Sequence, residues 1–579
     1  MFSKEDASFR TLVGTNILFN GIGAIGEIFF NPSENCDFIK LYTENLNSLI
    51  REFKFDPQFL YKKSYSQGII FALKTEIDLI YVGREILELA FNQTFAIFYN
   101  DSEFNFSNEL EKLHELYKKE FNLLLRNLFH ETLKRNINIF YEDNIVTLGS
   151  GTGLYSFNLS KNNVENIPWN KIYNIPAVAV TGSNGKTTTV ILTKFIAEQS
   201  GKTVGYSSTE RIMIADHIQE IGDLSGPYGA REILGNKNVD IAVLELARGS
   251  ITKRGVGANN LLATVVTNVS ADHIGLNGID DIHDLAKAKF LIHNAIIKNG
   301  YHIINLDDQL SHNFILQLEH SHIVFSSKMN MKEISSFLKN EHDLACFIEN
   351  DILTVLNKKL TNSNQNNFTL TKTPIINIKD IPLTYHGLAN HNIDNVLAAT
   401  CLSIALNCSY ANIKKGLLDF DATKLNQGRL NIFSMNGYKN TLMIVDYAHN
   451  VASVDSIIKF AKSAVGIKAK ITLLIGLTGD RIFMIDDMVQ MIIAHNIDFV
   501  MLKAFNTKLR GAKTGEVAKL MEDSLIKYGF PNSKLLDTVE VEMDAVDTFL
   551  DSLEDDHAYI VLSQEEIEKV VNKIEKFNN

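Results

Sequence analysis

A short glycine-containing stretch constrains the fold of this 579-residue chain more than any other feature. It occupies residues 179–190 and reads AVTGSNGKTTTV. Ala177–Val180, which leads into it, is apolar and short enough for a buried strand, and Lys186–Gln199 has helical periodicity and ends before Gly201. A strand, a glycine turn and a helix in immediate succession predict the first unit of a parallel α/β sheet.

The turn between this strand and helix has the composition of a phosphate-binding loop. Gly182 and Gly185 let the backbone turn, so that amide N–H groups and the start of the helix face a phosphate, and Lys186 adds a full positive charge. Thr187 can hold Mg²⁺ through its hydroxyl. The spacing departs from the GxxxxGK[ST] pattern, because Val180 stands where that pattern has its first glycine. An ordinary turn that contains Gly-Lys by coincidence stays an alternative at this point.

Two further apolar strands end in groups that can bind a metal ion. Ile241–Leu244 is followed by Glu245, and Leu262–Val266 leads into a segment that contains His273. The carboxyl ends of parallel strands share one edge, where ligands bind. A Mg²⁺ ion bridging ATP phosphates would lie at this edge, beside the loop. Taken singly, Glu245 could cap a helix and His273 could be an ordinary loop histidine, but together they favour metal binding.

The order of the predicted strands and helices indicates three domains, in keeping with the length of the chain. Residues 1–170 mix short apolar segments with one long amphipathic stretch, 108–135, which predicts an α+β domain with a core helix. Strand and helix alternate in residues 171–426 and again in residues 427–579. The expected fold class is therefore α/β, with a central phosphate-loop domain on a parallel sheet and a smaller Rossmann-like carboxyl-terminal domain.

Charge, cysteine usage and apolar run length argue against several classes of protein. The formal net charge is −12 without a long Lys/Arg run, which argues against nucleic-acid binding. The four cysteines include no CxxC pair, so neither a disulfide framework nor a structural zinc site is indicated. The start, MFSKEDASFR, lacks the apolar core of a signal peptide, and no apolar run is long enough to span a membrane. We therefore expect a cytoplasmic protein with neither nucleic-acid nor membrane partners.

A dinucleotide-binding pattern occurs near the amino terminus. Residues 21–26 read GIGAIG and follow a predicted strand, Asn16–Asn20. A dinucleotide site also needs a long helix that begins at the last glycine, whereas Pro32 and a polar run follow closely. A nicotinamide-dependent dehydrogenase is therefore only a rival hypothesis.

Several stretches resemble the Mur ligase superfamily of ATP-dependent amide ligases. The loop GSNGKTTT resembles the GTNGK[ST] loop of that family. Six further stretches agree with it in order: VLELARGSITKRGVG (243–257), VTNVSADHIGLNGI (266–279), DLAKAKFLI (284–292), NIDNVLAA (392–399), GRLNIF (428–433) and VDYAHN (445–450). The resemblance covers roughly residues 170–579. Among family members, the chain looks most like the carboxyl-terminal half of cyanophycin synthetase, and we expect the large ATP-grasp domain of that enzyme to be missing from it.

The resemblance implies roles for individual residues. Lys186 would contact the β- and γ-phosphates, Thr187 and Glu245 would bind one Mg²⁺, and His273 with Glu245 would bind a second. Lys289 falls at a lysine that CO₂ carbamylates in many of these ligases; Lys287 is a competing candidate, and an unmodified lysine is the alternative. The implied catalytic set is Lys186, Glu245, His273, Lys289 and Arg429.

The implied nucleotide site draws on both the central and the carboxyl-terminal domain. Asn392 and Asn395 would contact adenine, Arg429 the phosphates, and Asp446 and His449 the nucleotide or the incoming amine. The complete set is Gly182, Ser183, Asn184, Gly185, Lys186, Thr187, Thr188, Asn392, Asn395, Arg429, Asp446 and His449. ATP and two Mg²⁺ ions are the expected cofactors.

The activity implied by the resemblance is amide-bond formation through an acyl phosphate. An amino acid, arginine by analogy with cyanophycin synthetase, would be added to a carboxylate-bearing peptide or amino acid, and homo-oligomerisation stays open. A catalytically silent nucleotide-binding protein serving a polymer-synthesising complex is the alternative. Val451 stands where the family usually has proline, and Ser250 stands where cyanophycin synthetase usually has glycine, which leaves acceptor-side details open. We expect acceptor selectivity in Ser207–Thr209, Asp223–Arg231, Arg248 and Asn506–Lys513, and assign no role to residues 1–170.

Overall fold

The computed structural model describes residues 3–30, 36–271, 274–316, 321–362 and 367–578. The chain divides into two compact units. The first comprises Met1–Glu349, Leu353–Ile375 and Val396–Gly416, and the second comprises Asn350–Ile352, Ile376–Asn395 and Leu417–Asn579. This division places residues 1–170 and most of the predicted central domain in one unit, so it does not test the three predicted domain ranges, which stay a prediction.

The first unit begins with a small α+β layer. Its four-stranded antiparallel sheet has the order β1-β2-β4-β3, with β1 (Ala7–Val13), β2 (Ile22–Phe29), β3 (Leu60–Tyr65) and β4 (Gly68–Lys74). The helices of this part are α1 (Cys36–Glu52), α2 (Ile80–Tyr99), α3 (Phe106–Glu120) and α4 (Leu123–Arg135). Next come β5 (Ile139–Glu142), β6 (Ile145–Leu148), β7 (Tyr155–Asn158) and the short α5 (Lys161–Glu165).

The amphipathic stretch 108–135 forms two helices, so the prediction of one continuous core helix is wrong. Phe121 and Asn122 leave the helical conformation, with ψ angles of 113° and 90°. The Asn122 side chain accepts a hydrogen bond from the Leu125 N–H at 3.0 Å, and its own N–H donates to Asp78 at 2.9 Å. Asn122 therefore begins a new helix as an N-cap, which the helical spacing of the leucines concealed.

The GIGAIG pattern lies mostly within β2 and not in a strand-to-helix loop. Gly23 pairs with Leu12 on one side and with Lys74 on the other, in the middle of the antiparallel sheet. No helix begins at Gly26, which pairs with Phe9 and Phe71. The structure therefore contradicts a dinucleotide site at this position.

The centre of the first unit is an eleven-stranded sheet of order β11-β10-β9-β12-β8-β13-β14-β15-β16-β17-β18. Its strands are β8 (Ala177–Thr181), β9 (Val204–Ser207), β10 (Arg211–Ile214), β11 (His217–Ile221), β12 (Ile241–Glu245), β13 (Leu261–Val266), β14 (Ile296–Asn305), β15 (His322–Ser326), β16 (Leu344–Glu349), β17 (Ile352–Asn362) and β18 (Asn367–Asn377). The helices from here to residue 419 are α6 (Lys186–Glu198), α7 (Pro227–Leu234), α8 (Arg248–Arg254), α9 (Ile282–Phe290), α10 (Gln309–Ile315), α11 (Met331–Ser335), α12 (Asn390–Ala405) and α13 (Tyr410–Asp419).

Strand β8 lies between β12 and β13, and this position decides what surrounds the glycine loop. The strand pairs from β9 through β12, β8, β13, β14 and β15 to β16 are parallel, whereas β10 is antiparallel to β9 and to β11. Every residue of β8 is buried, as expected for an apolar strand of a sheet covered on both faces. Glu245 pairs with Val180, and Val266 pairs with Thr181. The ends of β12 and β13 therefore flank the start of the loop.

The second unit contains a six-stranded sheet of order β19-β20-β24-β21-β22-β23. Its strands are β19 (Asn431–Ser434), β20 (Leu442–Asp446), β21 (Lys470–Ile475), β22 (Phe499–Lys503), β23 (Leu535–Val539) and β24 (His557–Leu562). Its remaining helices are α14 (Ala422–Leu425), α15 (Val451–Val465), α16 (Ile485–Ala494), α17 (Glu516–Lys527), α18 (Glu542–Asp551) and α19 (Ile567–Asn578).

Strand β19 is antiparallel to its neighbour β20 in this second sheet, and the strand pairs from β20 to β23 are parallel. Apolar side chains of the strands and helices form buried clusters on the sheet. The predicted α/β fold class is thus confirmed. Among the described residues, none of the helices combines the length and apolar character needed to cross a membrane.

Candidate functional site

The loop between β8 and α6 has a backbone that depends on glycine. Gly182 has a φ angle of +151° and Gly185 one of +82°, both in the region that disfavours other residues. A Cβ atom on Gly182 would lie 1.9 Å from Thr267 Oγ1. Gly185 is the N-cap of α6 and provides no side-chain cap, so the helix start keeps the polarity that attracts an anion.

Hydrogen bonds join this loop to the segment that follows β13. The Ser183 and Asn184 N–H groups donate to the carbonyl and side-chain oxygens of Asn268 at 2.9 and 3.0 Å. Thr267 Oγ1 donates to the Asn184 carbonyl at 2.6 Å, and Ser183 Oγ donates to the Ser270 carbonyl at 3.0 Å. The two loops therefore form one hydrogen-bonded platform. The sequence reasoning missed Thr267 and Asn268, although their place at the end of an apolar strand was a usable signal.

The first residues of α6 bring a cation and a hydroxyl to the platform. Lys186 Nζ donates to the Ser183 carbonyl at 3.0 Å. Thr187 Oγ1 donates to Glu245 Oε2 at 2.9 Å and lies 3.3 Å from the hydroxyl of Thr209. The structure thus brings Lys186, Thr187 and Glu245 together as the sequence predicts. Beside them lies Thr209, from the segment Ser207–Thr209 predicted for acceptor selectivity. Thr188 is buried on the same helix.

The oxygen atoms of Glu245, at the end of β12, and of Thr187, on α6, are suitable ligands for a magnesium ion. Glu245 is 0% exposed, and its carboxylate is paired with the Thr187 hydroxyl. Mg²⁺ prefers carboxylate and hydroxyl oxygens and keeps several of its waters, so it needs few protein ligands. In the described part of the chain, no group of three or more His, Cys, Asp or Glu side chains is placed to hold a metal ion. His273 lies outside the described residues, and the two-ion arrangement stays a prediction.

The two lysines considered for carbamylation lie in opposite environments on α9. Lys289 is 3% exposed, whereas the Lys287 side chain is 80% exposed and lies 3.8 Å from Asp284. A lysine as buried as Lys289 is costly to keep as an ammonium unless it is compensated. Burial therefore favours Lys289 over Lys287 as the modified residue, although the modification itself stays a prediction.

In the second unit, Asp446 organises the turn that carries Arg429. Its carboxylate oxygens accept hydrogen bonds from the Leu430 and Ala448 N–H groups, each at 2.7 Å. Burial raises the pKa of Asp446 to about 6, while the positive charge of Arg429 and these hydrogen bonds oppose the rise. Leu430 has a φ angle of +52°, so the turn is held in a left-handed conformation. Asp446 therefore acts on the shape of the Arg429 turn.

Tyr447 lies at the centre of a cationic cluster in this unit. The Arg429 guanidinium carbon is 4.5 Å and Lys508 Nζ is 5.5 Å from the centroid of its ring. His449 Nδ1 lies 3.0 Å from the Tyr447 carbonyl, which can only accept, so Nδ1 carries the proton in this bond. Arg429, Asp446 and His449 thus lie together as predicted. Tyr447 was missed, and Lys508 was predicted only as part of the acceptor segment Asn506–Lys513, since only the fold brings residue 508 to this strand end.

Asn392 and Asn395 lie near the start of α12, in the part that belongs to the second unit. Asn395 Nδ2 donates to Asn392 Oδ1 at 3.0 Å, and Asn392 Nδ2 donates to the Leu383 carbonyl at 3.0 Å. Both side chains are buried. Their contact with adenine stays a prediction.

Comparison with known proteins relates the central part of the chain to a known family. Residues 180–403 match the Mur ligase middle domain. The cyanophycin synthetase of Crocosphaera subtropica is 32% identical over 409 residues, which are 70% of this chain and 44% of that protein. The UDP-N-acetylmuramate–L-alanine ligase of Acetivibrio thermocellus is 30% identical over 295 residues, 50% of this chain and 51% of that protein. The chain thus spans about half the length of the curated relatives it matches.

A solved structure also aligns with the chain. The pseudomurein peptide ligase type C of Methanothermus fervidus is 18% identical, with 72% of this chain and 85% of that chain covered and a TM-score of 0.44.

Proposed function

We propose that this chain, a member of the Mur ligase superfamily through its middle domain, joins a carboxylate to an amine and converts ATP to ADP and phosphate. The observation that carries the proposal is the 2.9 Å contact between Thr187, at the start of the helix after the glycine loop, and the buried carboxylate of Glu245. A phosphate loop alone fits any nucleotide-binding protein. The Glu245 carboxylate beside the loop is 0% exposed, and together with the Thr187 hydroxyl it provides ligands for a metal ion that binds the phosphates.

The proposed reaction has two steps. An acceptor carboxylate oxygen attacks the γ-phosphorus of ATP, which forms an acyl phosphate and releases ADP. The amine nitrogen then attacks the carbonyl carbon, loses a proton, and expels phosphate. Thr187 and Glu245 would hold one Mg²⁺ and Glu245 with His273 a second, and when bound these ions would supply positive charge that neutralises the phosphate oxygens.

Each group of this chain has a place in that scheme. The glycine loop and the start of α6 bind the phosphates. Lys186 and Arg429 stabilise the charge that spreads over the transferred phosphoryl oxygens. Asp446 and His449 contact the nucleotide or the incoming amine, and Asn392 and Asn395 contact adenine.

The proposed substrates follow the similarity to cyanophycin synthetases. The identity of 32% extends over 409 residues. By this similarity the incoming amine is a basic amino acid, arginine, and the acceptor is a side-chain carboxylate of an aspartate-containing peptide.

Phosphate release with tetra-aspartate, arginine, ATP and Mg²⁺ tests the proposal. We expect release to depend on both the amine and the peptide, and mass spectrometry to detect the amide product. Lys186→Ala should slow release by about a hundredfold or more, because it removes a charge aimed at the phosphates. Lys202→Ala, which changes an exposed lysine after the same helix, is the matched control and should leave the rate unchanged. ATP binding without turnover, across a broad panel of amines and carboxylates, would instead identify a nucleotide-binding protein without ligase activity.

We further propose that Lys289 is carbamylated, so that a buried cation becomes an anionic partner of the metal. With ¹³C-bicarbonate, a carbamate signal is expected in the ¹³C NMR spectra of the wild type and of Lys287→Ala, and it should be absent from Lys289→Ala. ATP turnover should fall at least about tenfold in Lys289→Ala only, and acetate should restore part of it, because a free carboxylate can replace the missing group. A carbamate signal that survives Lys289→Ala would contradict the assignment.

A further inference from the structure

The amino-terminal sheet buries a carboxylate that contacts the central domain. Glu27, on β2, is 0% exposed. Within the sheet it accepts hydrogen bonds from Arg10 Nη2 and from the Tyr65 hydroxyl, each at 2.9 Å. From the central domain it accepts a hydrogen bond from Asn277 Nδ2 at 3.0 Å. Because a buried charge with several donors has a single low-energy orientation, Glu27 fixes the position of the Asn277 amide.

Asn277 also forms a hydrogen bond with an arginine. Its Oδ1 accepts a hydrogen bond from Arg248 Nη1 at 3.3 Å, and the same nitrogen lies 3.5 Å from the Leu276 carbonyl. Arg248 is 7% exposed and is the first residue of α8, three positions after Glu245. One side-chain amide therefore donates to Glu27 and accepts from Arg248, which an amide can do and a carboxylate or an ammonium cannot.

The amino-terminal sheet also holds the part of the chain that follows Asn277. Lys63 Nζ donates to the Gly278 carbonyl at 2.6 Å and to Asp284 Oδ2 at 3.0 Å. The Ser66 N–H donates to Asp280 Oδ1 at 2.8 Å. The segment held in this way, residues 278–284, follows His273 in the sequence and leads into the helix that carries Lys289. The sheet therefore supports the part of the chain that lies between two predicted site residues.

Positive charge gathers where the sheet meets α8. Among the described residues, Arg10, Arg248 and Lys253 lie around the carboxylate of Glu27 in this region. Burial and the charges of Arg10 and Arg248 lower the pKa of Lys253, against the opposing charge of Glu27. The nearby Asp280 is engaged by the Ser66 N–H. An anionic ligand would be attracted to these cations, and it would meet Arg248 at the carboxyl edge of the sheet, where ligands of parallel sheets bind.

We propose that the amino-terminal sheet is part of the acceptor site, and that Glu27, acting through Asn277, is a positioning residue that holds Arg248 to bind a carboxylate of the acceptor. A guanidinium binds a carboxylate best with two parallel hydrogen bonds, so its plane has to be fixed in advance. The inference rests on the proposed ligase function, and it gives a role to residues 1–170.

Binding of tetra-aspartate to the full chain, measured by isothermal titration calorimetry, tests the inference without catalysis. We expect Glu27→Gln and Asn277→Ala each to weaken binding about tenfold or more, because the first removes the charge that orients the Asn277 amide and the second removes the hydrogen bond to Arg248. Arg248→Lys, which keeps the charge but loses the fork, should weaken it to a similar degree. Mg²⁺–ATP affinity should stay within about twofold, since none of these residues belongs to the phosphate loop.

Two further variants separate positioning from general support of the fold. Arg254→Ala removes a 3.1 Å hydrogen bond to Thr11 across the same junction without touching Asn277, so it should leave tetra-aspartate binding unchanged. In the double variant Glu27→Gln with Asn277→Asp, the negative charge moves to position 277, where the amide introduced at position 27 can donate to it and Arg248 can pair with it. We expect this charge exchange to restore affinity to within about threefold, a recovery that a purely structural role would not produce.

The outcomes distinguish the inference from the proposed reaction. Absence of tetra-aspartate binding by the wild type, unchanged binding in Glu27→Gln and Asn277→Ala, or an equal loss in Arg254→Ala would each overturn the inference. If Asn277→Ala fails to fold, Arg248→Lys and the charge-exchange variant decide. Tetra-aspartate binding with the expected pattern, but without amide formation from any amine, would refute the ligase and leave the positioning role standing.

Discussion

Replacing Glu245 with glutamine is expected to lower Mg²⁺-dependent ATP turnover by about a thousandfold with little change in stability. The carboxylate is 0% exposed and accepts a hydrogen bond from the Thr187 hydroxyl at 2.9 Å. Glutamine has the same shape and can still accept that hydrogen bond, but it carries no charge for a metal ion. The measurement is phosphate release at increasing Mg²⁺ concentration, with thermal unfolding as the check on the fold.

Two comparisons make this result specific. Glu232→Gln makes the same chemical change on an exposed helix position and should leave turnover unaffected. Thr187→Ser keeps the hydroxyl and should retain most of the activity, whereas Thr187→Val should lose it. Turnover of Glu245→Gln within about tenfold of the wild type would show that the carboxylate does not bind the metal.

Replacing Gly182 with alanine is expected to weaken ATP binding by about a hundredfold or more. The new Cβ would lie 1.9 Å from Thr267 Oγ1, and the φ angle of +151° is itself unfavourable for alanine. The loop and the segment after β13 have to separate to relieve the clash. That movement breaks the hydrogen bonds that hold the loop amides in place.

Gly201→Ala is the matched control for this substitution. Gly201 also has a positive φ, +74°, but a Cβ there would meet nothing within 4 Å. It should cost roughly 1 kcal/mol of stability from backbone strain alone and leave ATP affinity unchanged. Calorimetric titration with ATP and thermal unfolding of both variants provide the comparison. Equal losses of ATP affinity in the two variants would show that strain, and not the approach of Thr267, is responsible.

The sequence predicts those strands, helices and site residues that a local sequence pattern determines. The apolar run before Gly182 and the helical run after it specify β8 and α6, and the position of Glu245 after an apolar strand places it at the ligand edge of the sheet. Lys186 and Thr187 follow from the same pattern. These predictions need only the periodicity of the chain and the rule that parallel strands share a carboxyl edge.

The remaining features depend on contacts between distant parts of the chain. Glu27 and Asn277 are 250 positions apart, and no local pattern records that they meet. Lys508 reaches Tyr447 only after the second sheet has formed. The break at Asn122 was hidden for a different reason, since the leucines keep helical spacing across it and a single capping asparagine gives a weak signal.

Surface loops usually accept insertions and deletions because few contacts depend on their length. The loop after β8 and the segment after β13 are an exception to this rule. Ser183 and Asn184 of the loop form hydrogen bonds with Thr267, Asn268 and Ser270 of the segment. One extra residue in either partner would shift every donor past its acceptor. Among related sequences, insertions and deletions should therefore occur in other loops. These two loops should keep the same number of residues even where their side chains differ.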